Sequence, residues 1–181
     1  MISIITVTYN NFDDLYRTLC SLEKIEGIEK VVVNGGMCTK TKEYLSDFDG
    51  ISISEPDKGI SDAFNKGVSK ASGENVMFLN SGDVLLSPDY LQEAEQIINF
   101  NSEISFVHSD LVFEDRISGD IRLTALQPFF FKAPPLGRGM PYHHQSMIVR
   151  KNVFENQVRM DKRYFRIKIY NFFSFFQIIL R

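Results

Sequence analysis

The stretch ISISEPDKGISDAFNKGVSKASGENVMFLNSGD, residues 51–83, decides the fold of this chain. It opens with a short β-branched run and closes with a second apolar run, NVMFLN. Between them Ile60, Phe64, Val68 and Ala71 recur at the spacing of one helix face. A strand, a helix and a strand in this order predict a right-handed unit that joins two parallel strands.

The remaining sequence extends the same alternation. Further strands are predicted at ISIITVTY, KVVVNGG and ISFVHSDLVF, and further helices at residues 12–22, 39–48 and from Pro88, with Ser87 as the N-cap. The pattern predicts an α/β fold with a mostly parallel sheet flanked by helices. Beyond residue 114 the sequence predicts a strand in DIRLTAL, a long irregular loop over residues 127–145, and a strand followed by a helix start in SMIVRKNVF.

Size and composition limit the function classes. The 181 residues are enough for one sizeable core, and 44% apolar with 24% charged residues is ordinary for a globular protein. The net charge of -3 provides no basic field, so nucleic acid is not an expected partner. The two cysteines and the absence of a signal-peptide pattern at the N-terminus favour a cytoplasmic protein, and the oligomeric state stays open.

Polar side chains follow every predicted parallel strand. They are Thr8, Tyr9 and Asn10; Asn34 with two glycines; Ser54, Glu55 and Asp57; and Asn80, Ser81, Gly82 and Asp83. Ligands bind at the carboxyl ends of such strands, so these groups are expected to line one crevice. The sequence has neither a GxGxxG motif nor a P-loop. A crevice rich in carboxylates predicts phosphate bound through Mg²⁺ or Mn²⁺, with Asp83 as the best-placed ligand; the alternative makes Asp83 a turn residue.

Other polar residues have structural alternatives. Asp62 has two equally weighted interpretations: a ligand-binding residue, or a first-turn carboxylate that the helix dipole stabilises. Gly67 predicts close approach of another backbone to its helix. His143 and His144 are adjacent, so on a strand they would face opposite sides, and a shared metal is not expected. His108 is expected in the core, and Asp110 is a candidate for the crevice.

The motifs IITVTYNN, VVVNGG, residues 54–83 and HHQSMIVRK resemble the inverting glycosyltransferases of family two. That family has the GT-A fold, a Rossmann-like sheet. The most similar members are bacterial enzymes of polysaccharide and colanic-acid-type synthesis. The resemblance covers about residues 2–155, which implies a nucleotide-sugar-binding domain over residues 1–155. Residues 156–181 form an atypical aromatic and basic segment, expected to be a shortened acceptor-side region.

The resemblance implies a nucleotide-diphosphate sugar as donor. The implied donor-binding residues are Thr8, Tyr9, Asn10, Asn34, Glu55, Asp57, Lys58, Asp62, Asn65, Asn80 and Ser81. The implied acceptor loop contains His143, His144 and Gln145. The family's common LDADD metal motif is LNSGD here, so Asp83 is left as its charged ligand for Mn²⁺ or Mg²⁺.

The general base is the weakest part of the resemblance. Relatives carry an aspartate downstream, in a pattern like RYKIAADY, where this chain has RYFRIKIY and Ile169 at the acidic position. The catalytic residue is therefore unknown, and Asp110 is the remaining candidate. A truncated or frameshifted copy is one expectation. The other is a domain that kept donor binding and lost its base.

Two functions follow. The first is transfer of a sugar to a saccharide or lipid-linked acceptor in bacterial surface polysaccharide synthesis, at the inner face of the plasma membrane. The alternative is a catalytically silent module that binds a sugar nucleotide or a partner. A receiver-type or flavodoxin-like binding domain fits the coarse pattern but none of the motifs. For residues 164–181 three interpretations stay open: a helix packed on the sheet, out-of-frame sequence, or an interfacial helix with at most peripheral membrane contact.

Overall fold

A computed structural model describes residues 1–124, 143–156, 174–175 and 179–180. The strands are β1 (Ile2–Thr8), β2 (Ile28–Asn34), β3 (Ile51–Ser54), β4 (Asn75–Phe78), β5 (Val84–Leu85), β6 (Phe106–Ser109), β7 (Leu111–Glu114), β8 (Ile121–Thr124), β9 (Met147–Arg150), β10 (Ser174–Phe175) and β11 (Ile179–Leu180). The helices are α1 (Phe12–Leu22), α2 (Thr39–Ser46), α3 (Ile60–Lys70), α4 (Asp89–Phe100) and α5 (Asn152–Asn156), with a short 3-10 helix at His144–Ser146.

The central sheet has seven strands in the order β10-β6-β9-β4-β1-β2-β3. β1 pairs in parallel with β2 and β4, and β3 pairs in parallel with β2. β9 alone runs antiparallel, between β4 and β6. The predicted α/β fold with a mostly parallel sheet is confirmed, and it positions four strand ends, those of β1 to β4, along one edge.

The two faces of the sheet carry separate cores. Every residue of β1 is buried, so its sequence, ISIITVT, places apolar side chains on both faces instead of alternating apolar with exposed polar residues. Ile2 and Ile4 pack on the face covered by α1 and α4, whereas Ile5 and Val7 pack on the face covered by α3 and α5. A Cβ on Gly67 would lie 2.4 Å from Ile5 Cγ2, so α3 sits close to β1. The neighbour that requires this glycine is a side chain and not the predicted backbone.

Two local predictions were wrong. α4 begins at Asp89 with Pro88 in the capping position, so Ser87 is not the N-cap. The run ISFVHSDLVF is not one strand: β6 stays in the sheet, whereas β7 leaves it after Asp110 and forms an antiparallel hairpin with β8. His144 and Gln145, at the end of the predicted loop, lie in the 3-10 helix before β9.

The C-terminal segment is described at four residues. β10 pairs in parallel with β6, and β11 pairs antiparallel with β5, so these residues are in strands and not in the helix considered above. Ile169 and the rest of residues 157–173 lie outside the described residues, as does most of the predicted loop 127–145. Across the described part of the chain, no helix has the length and apolar character needed to cross a membrane.

Candidate functional site

The carboxyl ends of β1, β2 and β3 are level with each other. Thr8 lies opposite Asn34, and Asn34 lies opposite Ser54. Asn34 is fully buried; its Nδ2 donates to Ser54 Oγ at 2.8 Å, and its Oδ1 accepts from Gly36 N at 3.0 Å. The Asn34 amide therefore builds the edge of the sheet, and its contact with a nucleotide base stays a prediction.

Two glycines after β2 make room for side chains from the neighbouring loops. A Cβ on Gly35 would lie 1.7 Å from Asp57 Oδ2, and a Cβ on Gly36 would lie 2.5 Å from Asn10 Oδ1. Asn10 has a left-handed backbone (φ 52°), and its Oδ1 accepts from Met37 N at 2.7 Å, which holds the chain at the start of α2. Asp57 and Asn10 thus pack over the glycine pair.

The start of α3 forms a charge network with the loop after β3. Lys58 N donates to Asp62 Oδ2 at 3.0 Å, and Lys66 Nζ lies 3.3 Å from Asp62 and 3.0 Å from Glu55. The Lys58 backbone hydrogen bond lowers the pKa of Asp62, and the Glu55 hydrogen bond raises the pKa of Lys66. Asp62 thus ties the loop before α3 to the first turn of the helix, and Asn65 is half-buried one turn further along α3. We call residues 34–36 and 55–62 the β2–β3 wall.

The four residues Asn80, Ser81, Gly82 and Asp83 form a tight turn after β4, which we call the β4 turn. Asp83 N donates to Asn80 O at 2.9 Å, and Asn80 N donates to Asp83 Oδ2 at 3.2 Å. Gly82 has φ 99°, and its N–H donates to Thr18 Oγ1 at 2.9 Å. Ser81 Oγ lies 3.4 Å from Thr8 Oγ1. The turn is therefore fixed against α1 and β1.

Asn80 joins the β4 turn to the segment before β9. Its Nδ2 lies 3.0 Å from His144 Nε2, and the His144 ring packs edge-on against Phe64 at 5.8 Å between centroids. His143 instead packs against Phe113 at 5.5 Å, so the two histidines have different partners, as expected. Asn80 Oδ1 is buried without a hydrogen-bond partner among the described residues. A buried acceptor that the described residues leave unpaired at a strand end is a candidate partner for a donor from a ligand.

The described residues do not fit the predicted metal. Asp83 is 1% exposed, and its carboxylate closes the turn on Asn80 N, so it is not presented to the crevice. Asn80 offers one side-chain oxygen, and position 82 has no side chain. Within residues 1–124 and 143–156, no three His, Cys, Asp or Glu side chains are grouped to hold an ion. The prediction that Asp83 is a turn residue agrees with this geometry.

Asp110 follows β6 at the same edge of the sheet. It is 8% exposed, and Ser109 Oγ donates to its backbone carbonyl at 3.2 Å. His108 is 2% exposed in the core, as expected, and burial lowers its pKa. Gln145, the third residue of the predicted acceptor loop, is 4% exposed. The role of Asp110 as a general base stays a prediction, and its position at the carboxyl end of β6 is what the structure adds.

Two ion pairs at this edge have no signal in the sequence. Arg116, in the β7–β8 hairpin, places Nη1 2.8 Å from Asp14 Oδ1, and Arg17 places Nη2 3.5 Å from Glu114 Oε2. Burial alone would raise the pKa of Asp14, but the hydrogen bonds from Arg116 and Asn11 lower it overall. A Cβ on Gly82 would lie 3.3 Å from Arg116 Nη2. The hairpin therefore brings a guanidinium onto the β4 turn.

A cavity of about 470 Å³ lies at the opposite edge of the sheet. It is lined by residues at the starts of β1 and β2 and by one side of α4, including Ile2, Lys24, Ile28, Gln92 and Glu95. The βα loops of the parallel strands do not reach this edge, so none of the strand-end polar groups converges there. The carboxyl edge is the candidate site.

A family model described as Glycosyl transferase family 2 matches residues 3–158. The chain belongs to glycosyl transferase family 2. It is 35% identical over 130 residues to two uncharacterised glycosyltransferases of Mycobacterium tuberculosis, MT1564 and Rv1514c. The match covers 66% of this chain and 50% of each relative, so the chain spans about half the length of the curated relatives it matches.

Solved glycosyltransferases share the fold. S. aureus TarS 1-349 in complex with UDP-GlcNAc has a TM-score of 0.55 and 20% identity, over 86% of this chain and 46% of TarS. The mannosyltransferase PcManGT from Pyrobaculum calidifontis, in complex with GDP-Man and Mn²⁺, has a TM-score of 0.52 and 19% identity, over 60% of this chain and 34% of that enzyme. At these identities the likeness shows the fold, which is GT-A.

Proposed function

We propose that this glycosyltransferase-family chain binds a nucleoside diphosphate sugar at the carboxyl edge of its sheet. The observation that carries the proposal is the convergence of polar strand ends at that edge, in a family whose structural neighbours contain UDP-GlcNAc and GDP-Man. Tyr9 is 70% exposed beside this edge, which suits stacking on a nucleotide base. The Asn80 Oδ1 acceptor suits a ribose hydroxyl.

The proposed reaction is sugar transfer with inversion. The acceptor oxygen bonds to the anomeric carbon as the bond to the diphosphate breaks, and a carboxylate takes the acceptor proton. Asp110 is the proposed base, because it is a carboxylate at the carboxyl end of β6 and the position expected from relatives holds Ile169. We extend the proposal to a saccharide or lipid-linked acceptor of surface polysaccharide synthesis, at the cytoplasmic face of the plasma membrane.

A divalent metal stays a prediction. When bound, Mn²⁺ or Mg²⁺ would supply positive charge to the diphosphate, and Asp83 would be the carboxylate to hold it. Because Asp83 is 1% exposed, it would first have to leave its hydrogen bond to Asn80 N. The proposal therefore assigns no step of the reaction to a metal.

The second candidate function is a silent sugar-nucleotide-binding module. It is favoured by Ile169, because a positioned general base contributes about 10²–10⁴-fold to such a rate. Both candidates require donor binding, and only transfer distinguishes them.

The test measures nucleoside diphosphate release from UDP-GlcNAc and GDP-Man with a panel of saccharide and lipid-linked acceptors. Asp110→Asn is compared with Asp120→Asn, an exposed carboxylate in the β7–β8 hairpin that follows Asp110. We expect acceptor-dependent release that Asp110→Asn lowers about 10²-fold or more and Asp120→Asn leaves unchanged. Donor binding without any transfer supports the silent module, and an absence of donor binding refutes both candidates.

A further inference from the structure

Arg116 is the cation that directly covers the β4 turn. Its Nη2 lies 3.3 Å from the place where a side chain at Gly82 would begin, so the guanidinium occupies the space above the glycine. Gly82 has φ 99°, a conformation that suits glycine. A close approach of this kind brings a fixed positive charge to a strand end that contains the buried Asp83 and the unpartnered Asn80 Oδ1.

The Arg116 guanidinium contacts Asp14 but keeps hydrogen-bond donors that no described residue uses. An arginine has five N–H donors in a planar fork, and Asp14 Oδ1 takes the one nitrogen Nη1 at 2.8 Å. The structure pairs no other described residue with Arg116, and its side chain is 48% exposed. Asp14 therefore anchors one end of the fork, and no described residue takes Nη2 or Nε.

Other basic groups at the edge are less suited to this position. Lys66 is held by Glu55, by Asp62 and by the carbonyl of Pro56 at 2.8 Å. Lys58 is exposed on the β2–β3 wall, one residue before the N-cap of α3, and not on the turn. Arg116 combines proximity to the β4 turn with unused donors.

We propose that Arg116 binds the diphosphate of the donor, with Nη2 and Nε donating to phosphate oxygens across the β4 turn. The inference rests on the proposed function and adds to it the side chain that binds the diphosphate. Arginine suits this role because its fork matches two phosphate oxygens at once. The charge that a metal would supply at this turn comes from Arg116.

A purely structural role for Arg116 is the competing explanation. The hairpin is also tied to α1 by Arg17 and Glu114, whose side chains are about one-third exposed and lie 3.5 Å apart. The Arg17–Glu114 pair does not lie over the β4 turn, whereas the Arg116 guanidinium lies directly over Gly82. Arg17→Gln therefore loosens the hairpin without removing a cation from the turn, and Arg122→Gln removes an exposed charge from β8 of the same hairpin.

The test is calorimetric titration of the full chain with UDP and GDP, and with uridine and guanosine, in the presence of EDTA. We expect diphosphate binding in the wild type, weakened about tenfold to a hundredfold by Arg116→Gln, with nucleoside affinity unchanged. Arg17→Gln and Arg122→Gln should bind like the wild type, and Arg116→Lys should fall between.

Three results overturn the inference. Equal diphosphate affinity of Arg116→Gln and wild type, with or without Mn²⁺, removes Arg116 from the site and leaves the proposed function intact. An equal loss in Arg116→Gln and Arg17→Gln shows that the hairpin contact and not the charge matters. No diphosphate binding by the wild type, in EDTA or in Mn²⁺, overturns the proposed function as well.

Discussion

The β2–β3 wall and the β4 turn lie at the same edge of the sheet but use their polar groups differently. In the wall, Asn34 bonds Ser54 and Gly36, and Asp57 Oδ1 accepts from Gly59 N at 2.8 Å. At the turn, the side-chain oxygen Oδ1 of Asn80 and the Nη2 of Arg116 have no partner among the described residues. The wall's side chains mainly fix the shape of the crevice, and the turn keeps unused groups for a ligand.

Gly35→Ala should cause the largest loss of stability at this edge. The new Cβ would lie 1.7 Å from Asp57 Oδ2, so the carboxylate must move and its bond to Gly59 N is strained. We expect a decrease of about 1–3 kcal/mol in the free energy of unfolding, measured by urea denaturation. In an Asp57→Ala background the same change should cost much less. An equal cost in both backgrounds would show that Asp57 does not pack over Gly35.

Asn80→Leu should separate function from stability in the β4 turn. The change removes a buried acceptor that has no partner, together with the contact to His144. We expect the free energy of unfolding to change by less than about 1 kcal/mol, while nucleoside diphosphate affinity falls about tenfold. Calorimetry and denaturation measure the two quantities, with Asn101→Leu, beyond the end of α4, as the control. A large loss of stability with unchanged affinity would show that Asn80 stabilises the fold and does not bind the nucleotide.

The sequence predicts the fold better than the site for a physical reason. Apolar periodicity reports burial within one strand or helix, so ISIS was placed at Ile51–Ser54 and the α3 stripe near Ile60–Lys70. It does not report which strand lies beside β4. The strand β9 was predicted but its antiparallel pairing with β4 was not, and the contact between Asn80 and His144 was missed with it.

The sequence located these polar residues at strand ends but did not predict the contacts that each side chain makes there. Polar type and position put Asn34, Asp57 and Asn80 at one edge, because parallel strands end together. Whether a side-chain amide hydrogen-bonds within the protein or remains for a ligand depends on contacts such as that of Asn34 with Ser54. Arg116 reaches the edge because the chain leaves the sheet after Asp110 and forms the β7–β8 hairpin. The run ISFVHSDLVF predicts one continuous strand, so the sequence does not indicate this departure.

Asp62→Asn should have the smallest effect and a defined pH dependence. The pKa of Asp62 is lowered in the folded state by the Lys58 backbone hydrogen bond, with Lys66 beside it. A lowered pKa means that the stabilisation is present above the ordinary value of 3.8 and is lost as the pH falls through the folded value. Denaturation of both proteins from neutral to acidic pH should show a difference that shrinks only on the acid side. A difference independent of pH would mean that the Asp62 charge has no role.

The most direct test of the account is to map nucleotide binding on the isotope-labelled chain by NMR. The account predicts saturable shifts on adding UDP or GDP, concentrated at residues 8–10, 35–36, 57–62, 80–83 and 116. Shifts near Lys24, Ile28 and Glu95, which line the cavity at the opposite edge, would contradict it. An absence of saturable shifts with both nucleotides, in EDTA and in Mn²⁺, would contradict it as well.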